Sequence, residues 1–230
     1  MYKEQLDEMI NTINQHFLRY GGPLSQKVKY ALEQTPRHLF VENNTPYADR
    51  PLQIGYSQTI SQPFIVAYMT QMLDVELHHK VLEVGTGSGY QAAVLSYLAE
   101  KIYTVERVPE LAMKTSKLFD TINQYKHIKV KLDDGCEGWK AHAPYDRIIV
   151  TATSQELTPP IALLEQLVVG GKMIIPMKQA IGGNMFGSDE KLHLIHKRRR
   201  RNLLYEGGIF TEKLIGVRFV PLISGEDNET

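Results

Sequence analysis

Cysteine is almost missing from this chain: only Cys136 is present, which excludes an intrachain disulfide and any zinc site built from clustered thiolates. An excess of charge of one sign is missing too, since 26 acidic side chains face 26 basic ones, and nothing in that balance calls for a polyanionic partner. No apolar run reaches the length of a membrane span; the run over residues 145–152 is among the longest and is interrupted by charge. The opening stretch MYKEQLDEMINTINQ has no apolar core of the kind a secretory signal needs. These absences predict a cytoplasmic protein that meets neither membrane nor nucleic acid. Internal repeats and low-complexity tracts are also absent. What remains is 230 residues, 43% apolar and 23% charged, enough for one large domain burying roughly 70–75% of its unfolded surface.

The apolar spacing of Leu6, Met9, Ile10, Ile13, Phe17 and Leu18 predicts an amphipathic helix over 2–19, closed by Gly21-Gly22-Pro23. A second helix is expected from Ser25, as its cap, to Gln34, before Thr35-Pro36. Residues 37–62 read as irregular, because the prolines at 46, 51 and 63 and scattered polar residues give neither period. PFIVAYMTQML then resumes as a helix with Pro63 in its first turn.

From Lys80 the pattern alternates. KVLEVG, KIYTVE, IKVKL, DRIIVTA and GKMIIPM are short β-branched runs, separated by helix-spaced segments such as GYQAAVLSYLAEK and PELAMKTSKLFDTINQY. Strands alternating with helices imply right-handed crossovers and a doubly wound, mostly parallel α/β sheet. KLHLIHKRR and GVRFVPL lack an intervening helix, so they are expected to close the sheet as antiparallel strands. Residues 179–190 read as a loop and 224–230 as a frayed tail. The organisation expected is a single domain over 1–230: a helical part over 1–79, a βαβ core over 80–178, and C-terminal strands over 179–230.

The first strand runs into Glu83-Val84-Gly85-Thr86-Gly87-Ser88-Gly89. Glycines here let the backbone approach a nucleotide, and the following helix offers unpaired N–H groups. By itself such a turn is weak evidence, because helix–strand packing also favours glycine. The spacing is G-x-G-x-G, unlike the dinucleotide G-x-G-x-x-G, and the carboxylate of Glu83 beside it would repel a pyrophosphate but suit a cationic amino acid or sulfonium. Glu106 ends the second strand, where a carboxylate can accept from both ribose hydroxyls; this identifies a ribonucleoside and is shared by NAD and S-adenosylmethionine sites. Asp134 follows the third strand, placed to take an adenine amine. Any one of these acids alone is better read as a loop residue or cap. Three at the carboxyl ends of consecutive strands favour S-adenosylmethionine.

These residues resemble the protein-L-isoaspartate (D-aspartate) O-methyltransferases. The resemblance runs from about Pro36 to Leu222, through PRHLFV, YADRPLQIGYSQTISQPFIVAYMTQML, VLEVGTGSGYQAAVLSYLA, VER, DDGCEGW, APYDRIIVTA, LLEQLVVGGKMIIPM and VRFVPL. VLEVGTGSGY is common to many methyltransferases and specifies the cofactor; QTISQP is far more particular. The resemblance implies a Rossmann-like S-adenosylmethionine-dependent methyltransferase fold with antiparallel C-terminal strands. It implies S-adenosyl-L-methionine as cofactor, S-adenosyl-L-homocysteine as product, and isoaspartyl-containing proteins and peptides as substrates of a monomeric enzyme. Ser61 maps onto the family's active-site serine. Gln58, Thr59, Ile60, Ser61, Glu83, Gly85, Thr86, Gly87, Glu106, Arg107, Asp134 and Gly135 are the implied cofactor contacts, with no metal. The chain departs from the family at Asp133-Asp134-Gly135, usually Gly-Asp-Gly, and at Thr153-Ser154, usually alanines. It matches poorly over 179–201, which includes the basic run 197–201.

Other readings have specific tests. An amine-modifying nucleic-acid methyltransferase commonly carries Asn/Asp-Pro-Pro-aromatic after the fourth strand, where this chain has Thr151-Ala152-Thr153-Ser154. An NAD-dependent oxidoreductase would share Glu106 but not the G-x-G-x-G spacing. A noncatalytic module capturing the cofactor or isoaspartyl termini would have no need of an intact QTIS. For Ser61 the bland alternative is the N-cap of the helix near Pro63. Cys136 reads as a small packing residue, Trp139 as a core anchor, Tyr90 as packing or pocket wall, and the histidines as free of metal-ligand spacing.

Overall fold

The computed structural model describes residues 2–20, 22–179, 190–198 and 208–225. Three helices build the N-terminal part: α1 (Tyr2–Arg19), α2 (Gln26–Gln34) and α3 (Pro63–Leu73). The spacing of Met9, Ile10, Ile13 and Phe17 buries one stripe of α1, which packs on α2 and α3. Ser25 caps α2 as expected, accepting from the Val28 N–H. The last turn of α3 ends at Asp74 in the left-handed region, and Nε of Arg147 donates to the exposed carbonyls of Leu73 and Asp74.

Residues 37–62 are more regular than their composition suggests. They hold a 3-10 turn (Arg37–Leu39) and an antiparallel hairpin of β1 (Leu52–Gly55) and β2 (Gln58–Ile60). Tyr56 and Ser57, at φ 53° and 56°, make its two-residue turn, a conformation usually supplied by Asn-Gly. Lacking that signal, and with strands of four and three residues, the hairpin has no readable period.

The main sheet contains β3 (Lys80–Val84), β4 (Lys101–Glu106), β5 (Lys129–Leu132), β6 (Tyr145–Val150), β7 (Thr153–Ser154), β8 (Leu167–Lys178), β9 (Glu190–Arg198), β10 (Gly208–Gly216) and β11 (Pro221–Leu222). Its order is β10-β9-β8-β6-β3-β4-β5, with β7 joined to β8 and β11. β3, β4, β5, β6 and β8 run parallel, whereas β9 and β10 are antiparallel. The order matches the expected doubly wound sheet with antiparallel C-terminal strands. One detail differs. The second antiparallel strand is Gly208–Gly216, and VRFVPL contributes only the two residues of β11, which pair parallel with β7. The bulk of that segment leaves the sheet to border the site described below.

Successive residues of the central strands enter opposite cores. Val81, Ile149 and Ile174 join the cluster under α1 to α4 (Tyr90–Leu95), while Leu82, Ile148, Val150, Met173 and Ile175 join the one under α6 (Ile161–Gln166). A strand covered on both faces must be apolar through its covered stretch, which explains the unbroken IIV run over 148–150 and the MIIPM run over 173–177. α5 (Pro109–Thr121) packs on β4 and β5. The chain moves outward from β3 to β5 and then returns to β6 on the other side of β3, so the topological switch lies between β3 and β6. Clefts for ligands open at such points.

The loop expected at 179–190 falls almost wholly outside the described residues, as do 199–201 of the basic run and 226–230 of the tail. Of the basic run, Lys197 is engaged structurally: its Nζ donates to the carbonyls of Leu164 and Leu167, each at 2.7 Å, closing the end of α6. Arg198 lies over the ring of Phe210. No described helix is long and apolar enough to cross a membrane.

Candidate active site

At the switch point lies a cavity of about 430 Å³. Gln58, Thr59, Ile60 and Ser61 border it on the hairpin side; Glu83, Gly85, Thr86 and Gly87 on the turn after β3; Glu106 and Arg107 after β4; and Gly135 after β5. Eleven of the twelve predicted contacts are therefore brought together by the fold. Asp134 is not among the lining residues. Its Oδ1 accepts from the Cys136 N–H and its Oδ2 from the Gly225 N–H, both at 2.8 Å, so it ties the loop after β5 to the chain beyond β11. Each oxygen keeps lone-pair capacity for a further donor.

The glycine turn is shaped by contacts that leave no room for side chains. Gly85 sits at φ +93°, and a Cβ there would come within 2.5 Å of the Thr151 hydroxyl oxygen, which donates to the carbonyls of Val84 and Gly85. Gly89 sits at φ +86° with a Cβ position 2.6 Å from both Phe119 and Thr115. Backbone in these conformations needs glycine. Ile54 of β1 reaches the Gly87 position from the other side, which is how the hairpin carries QTIS to the turn.

Glu106 is buried and accepts twice from backbone, Oε2 from the Gly87 N–H at 2.8 Å and Oε1 from the Val108 N–H at 2.9 Å. Glu83 is fully buried, and burial, reinforced by the nearby Glu106 charge, pushes its carboxyl up to about 8. One of its oxygens, Oε1, has no partner; the same is true of Nη1 of Arg107, while the Tyr90 side chain meets the Arg37 guanidinium. Glu83, Tyr90 and Arg107 all line this cavity. Buried polar atoms left without partners are rare in native proteins, and two around one cavity mark the place of a polar ligand. A molecule with an ammonium, a ribose and an adenine fits that set of donors and acceptors.

Ser61 follows β2 and is not the cap of α3. Gln62 occupies the cap position and makes no side-chain cap bond, while the Phe64 N–H is taken by Oδ1 of Asp49 at 2.8 Å. The bland reading of Ser61 is thereby removed. Its hydroxyl has no hydrogen bond among the described residues, and it borders both this cavity and a groove of about 650 Å³ formed with Gln53, Ser57, Arg218 and Phe219. The groove wall from Val217 to Val220 is the part of GVRFVPL that leaves the sheet.

Sequence reasoning missed Thr151, Gln91 and residues 220–223 as cavity walls; Thr151 and 220–223 reach the site by sheet order, which leaves no local signal, whereas Gln91 follows the glycine turn in α4. It missed Arg37 as well, which donates to the Ser61 carbonyl. Burial pushes the Cys136 thiol up to about 12, with Asp134 adding to the effect, which leaves it unreactive at neutral pH. Trp139 is half-buried against Tyr103 and borders the α6 core, as expected of an anchor. Among the described residues no three His, Cys, Asp or Glu side chains are grouped to hold a metal.

Comparison with known proteins meets this geometry. The family model "Protein-L-isoaspartate(D-aspartate) O-methyltransferase (PCMT)" matches residues 7–227. A protein-L-isoaspartate O-methyltransferase of Dictyoglomus thermophilum is 47% identical over 208 residues, covering 89% of this chain and 87% of the relative. One from Gloeobacter violaceus is 41% identical over 215 residues, 92% of this chain and 97% of the relative. Among solved structures, a putative protein-L-isoaspartate O-methyltransferase from Plasmodium falciparum, in complex with S-adenosyl-L-homocysteine, aligns with a TM-score of 0.73 at 22% identity, over 93% of this chain and 98% of that one. This last likeness bears on the fold alone. By the extent of the family match and the identity of its relatives, the chain belongs to the protein-L-isoaspartate (D-aspartate) O-methyltransferase family.

Proposed function

We propose that this chain is a repair methyltransferase, transferring a methyl group to the α-carboxylate of L-isoaspartyl residues in damaged proteins and peptides. The observation that carries the reading is the free Ser61 hydroxyl at the junction of two spaces: the cavity at the glycine turn and the groove open to solvent. S-adenosylmethionine, when bound, supplies a methyl group made electrophilic by a sulfonium. Glu106 would hold the ribose through its remaining lone pairs, Glu83 the ammonium end, Gln58, Thr59 and Ile60 the methionine side, and Asp134 the adenine amine, with Gly85, Thr86, Gly87, Arg107 and Gly135 shaping the walls.

The substrate carboxylate is ionised at neutral pH, so the chain has no nucleophile to deprotonate. Its task is orientation. Ser61 donates a hydrogen bond to one carboxylate oxygen and keeps its proton, leaving the other oxygen directed along the axis of transfer. Fixing reactants in line contributes on the order of 7–11 kcal/mol in well-oriented intramolecular models. Opposite charges vanish during transfer, so walls such as Val66, Val220 and Leu222 favour the reaction by excluding water.

The same reading takes the protein to be a monomer working as one domain. The single cysteine and the lack of a membrane-crossing helix among the described residues suit the cytoplasm. Methyl transfer from labelled S-adenosylmethionine to an isoaspartyl peptide, with its aspartyl isomer as control, tests the reading. Transfer to the isoaspartyl form alone is expected. Equal labelling of both, or of neither, would discard it.

A further inference from the structure

Arg37 is a buried guanidinium with no acid in direct contact, Asp49 acting on it from farther away. It is 0% exposed, and no described carboxylate pairs with it within ion-pair distance. Its Nε donates to the Pro46 carbonyl at 2.9 Å and its Nη2 to the Ser61 carbonyl at 2.8 Å. The guanidinium also meets the side chain of Tyr90, a cavity residue, lying 4.8 Å from its ring centre. Asp49 completes the arrangement. Its side chain, 8% exposed, accepts from Gln62 Nε2 at 2.9 Å and from the Phe64 N–H, with His16 at 3.2 Å. Arg37 thus grips the backbone of Ser61 itself, and Asp49 holds Gln62 and Phe64 just after it. Both anchor the segment to the 46–49 turn.

Two carbonyls could be satisfied by neutral donors. Burying a full cation without a carboxylate is costly unless something nearby uses the charge. In the mechanism the anion nearest to this cation is the substrate carboxylate received at Ser61, whose backbone carbonyl Arg37 holds. We propose that Arg37 is a positioning residue for Ser61, and that its charge, which no described carboxylate contacts directly, favours a carboxylate over a neutral group at the transfer site. The Asp49 brace fixes the following residues so that the charge and the hydroxyl keep one geometry. The proposal rests on the reading that Ser61 receives the substrate carboxylate.

The test uses the full chain, with active sites counted by S-adenosylhomocysteine binding. Two ligands are compared as inhibitors of methylation: an isoaspartyl peptide methylated too slowly to turn over, and its α-carboxamide. In the wild type the carboxylate should bind better. In Arg37→Gln that preference should fall about tenfold, one decade of binding constant, and KM for an isoaspartyl substrate should rise. Arg37→Lys keeps the charge but loses the fork, so it should retain the preference while kcat falls. If Arg37→Gln does not fold, Arg37→Lys still decides: KM within about threefold of wild type with a lower kcat is expected, and unchanged kcat and KM overturn the proposal. A lower melting temperature in Arg37→Gln with the carboxylate preference intact also overturns it, since a purely structural arginine would act that way. If the wild type does not methylate isoaspartyl peptides at all, the functional reading fails first.

Discussion

The Thr104 hydroxyl donates to Oε2 of Glu83 at 2.5 Å, and its oxygen lies 2.6 Å from that of Thr86. Thr104 can give only one proton, and it goes to Glu83, so Thr86 is the donor in the second contact. The chain of hydroxyls ends on a carboxyl whose other oxygen is unpartnered and whose pKa burial pushes up to about 8. At pH 7 the free protein therefore holds Glu83 mainly protonated. An ammonium group bound beside it favours the ionised form. Affinity for S-adenosylhomocysteine should accordingly rise with pH between about 6 and 8, with release of a proton at pH 7. Calorimetry in two buffers of different ionisation enthalpy measures that release; proton-neutral binding with a flat pH profile would refute the assignment of Glu83 to the ammonium.

The same shift acts on stability. The folded carboxyl titrates near 8, above its ordinary value of 4.5, so the folded state binds more protons than the unfolded one across that window. Its contribution to stability is fully present below 4.5 and is lost as pH rises through 8. Glu83→Gln has no such loss. The melting temperature of the variant is expected to gain on the wild type steadily from pH 5 to pH 9, and parallel melting curves across that range would contradict the shift.

Ser61→Ala removes one hydrogen bond to a charged group, about 1.5–3 kcal/mol, and so should lower kcat roughly 10- to 100-fold. Because the hydroxyl has no partner within the described protein, the melting temperature should stay unchanged. S-adenosylhomocysteine affinity should move by no more than about threefold. A fully active Ser61→Ala enzyme takes the serine out of the mechanism.

Gly85→Ala places a methyl group 2.5 Å from the Thr151 hydroxyl oxygen at φ +93°. The strained backbone costs about 1–3 kcal/mol, and relief requires the turn to move into the cavity. Both the melting temperature and the cofactor affinity should fall, the first by differential scanning calorimetry and the second by titration. An alanine variant with wild-type affinity would mean that the turn does not touch the cofactor.

How far these residues could be read in advance depended on the range of the forces that place them. The helices α1, α2 and α3 follow from local spacing, a serine cap and an N-terminal proline, and they occur where those signals lie. The parallel strands follow from apolar runs too short for helices. Glu83, Glu106 and Gly85 were legible because each sits at the end of a strand whose position in the sheet was predictable. QTISQP was legible only through family resemblance: its hairpin has no glycine or asparagine in the turn, and its strands are shorter than any period.

Local sequence chemistry thus settled where chain segments become helix or strand, and which carboxyls stand at strand ends, because those outcomes depend on neighbours a few residues away. The fold alone determined that Glu83 is buried enough to keep its proton, that Asp134 fastens Gly225 rather than lining the cavity, and that Asp49 displaces Ser61 from a capping role. It also brought Arg37 against the Ser61 carbonyl across a separation of 24 residues. Desolvation and long-range hydrogen bonds depend on which surfaces meet when the sheet and helices pack. No spacing along the chain encodes that meeting.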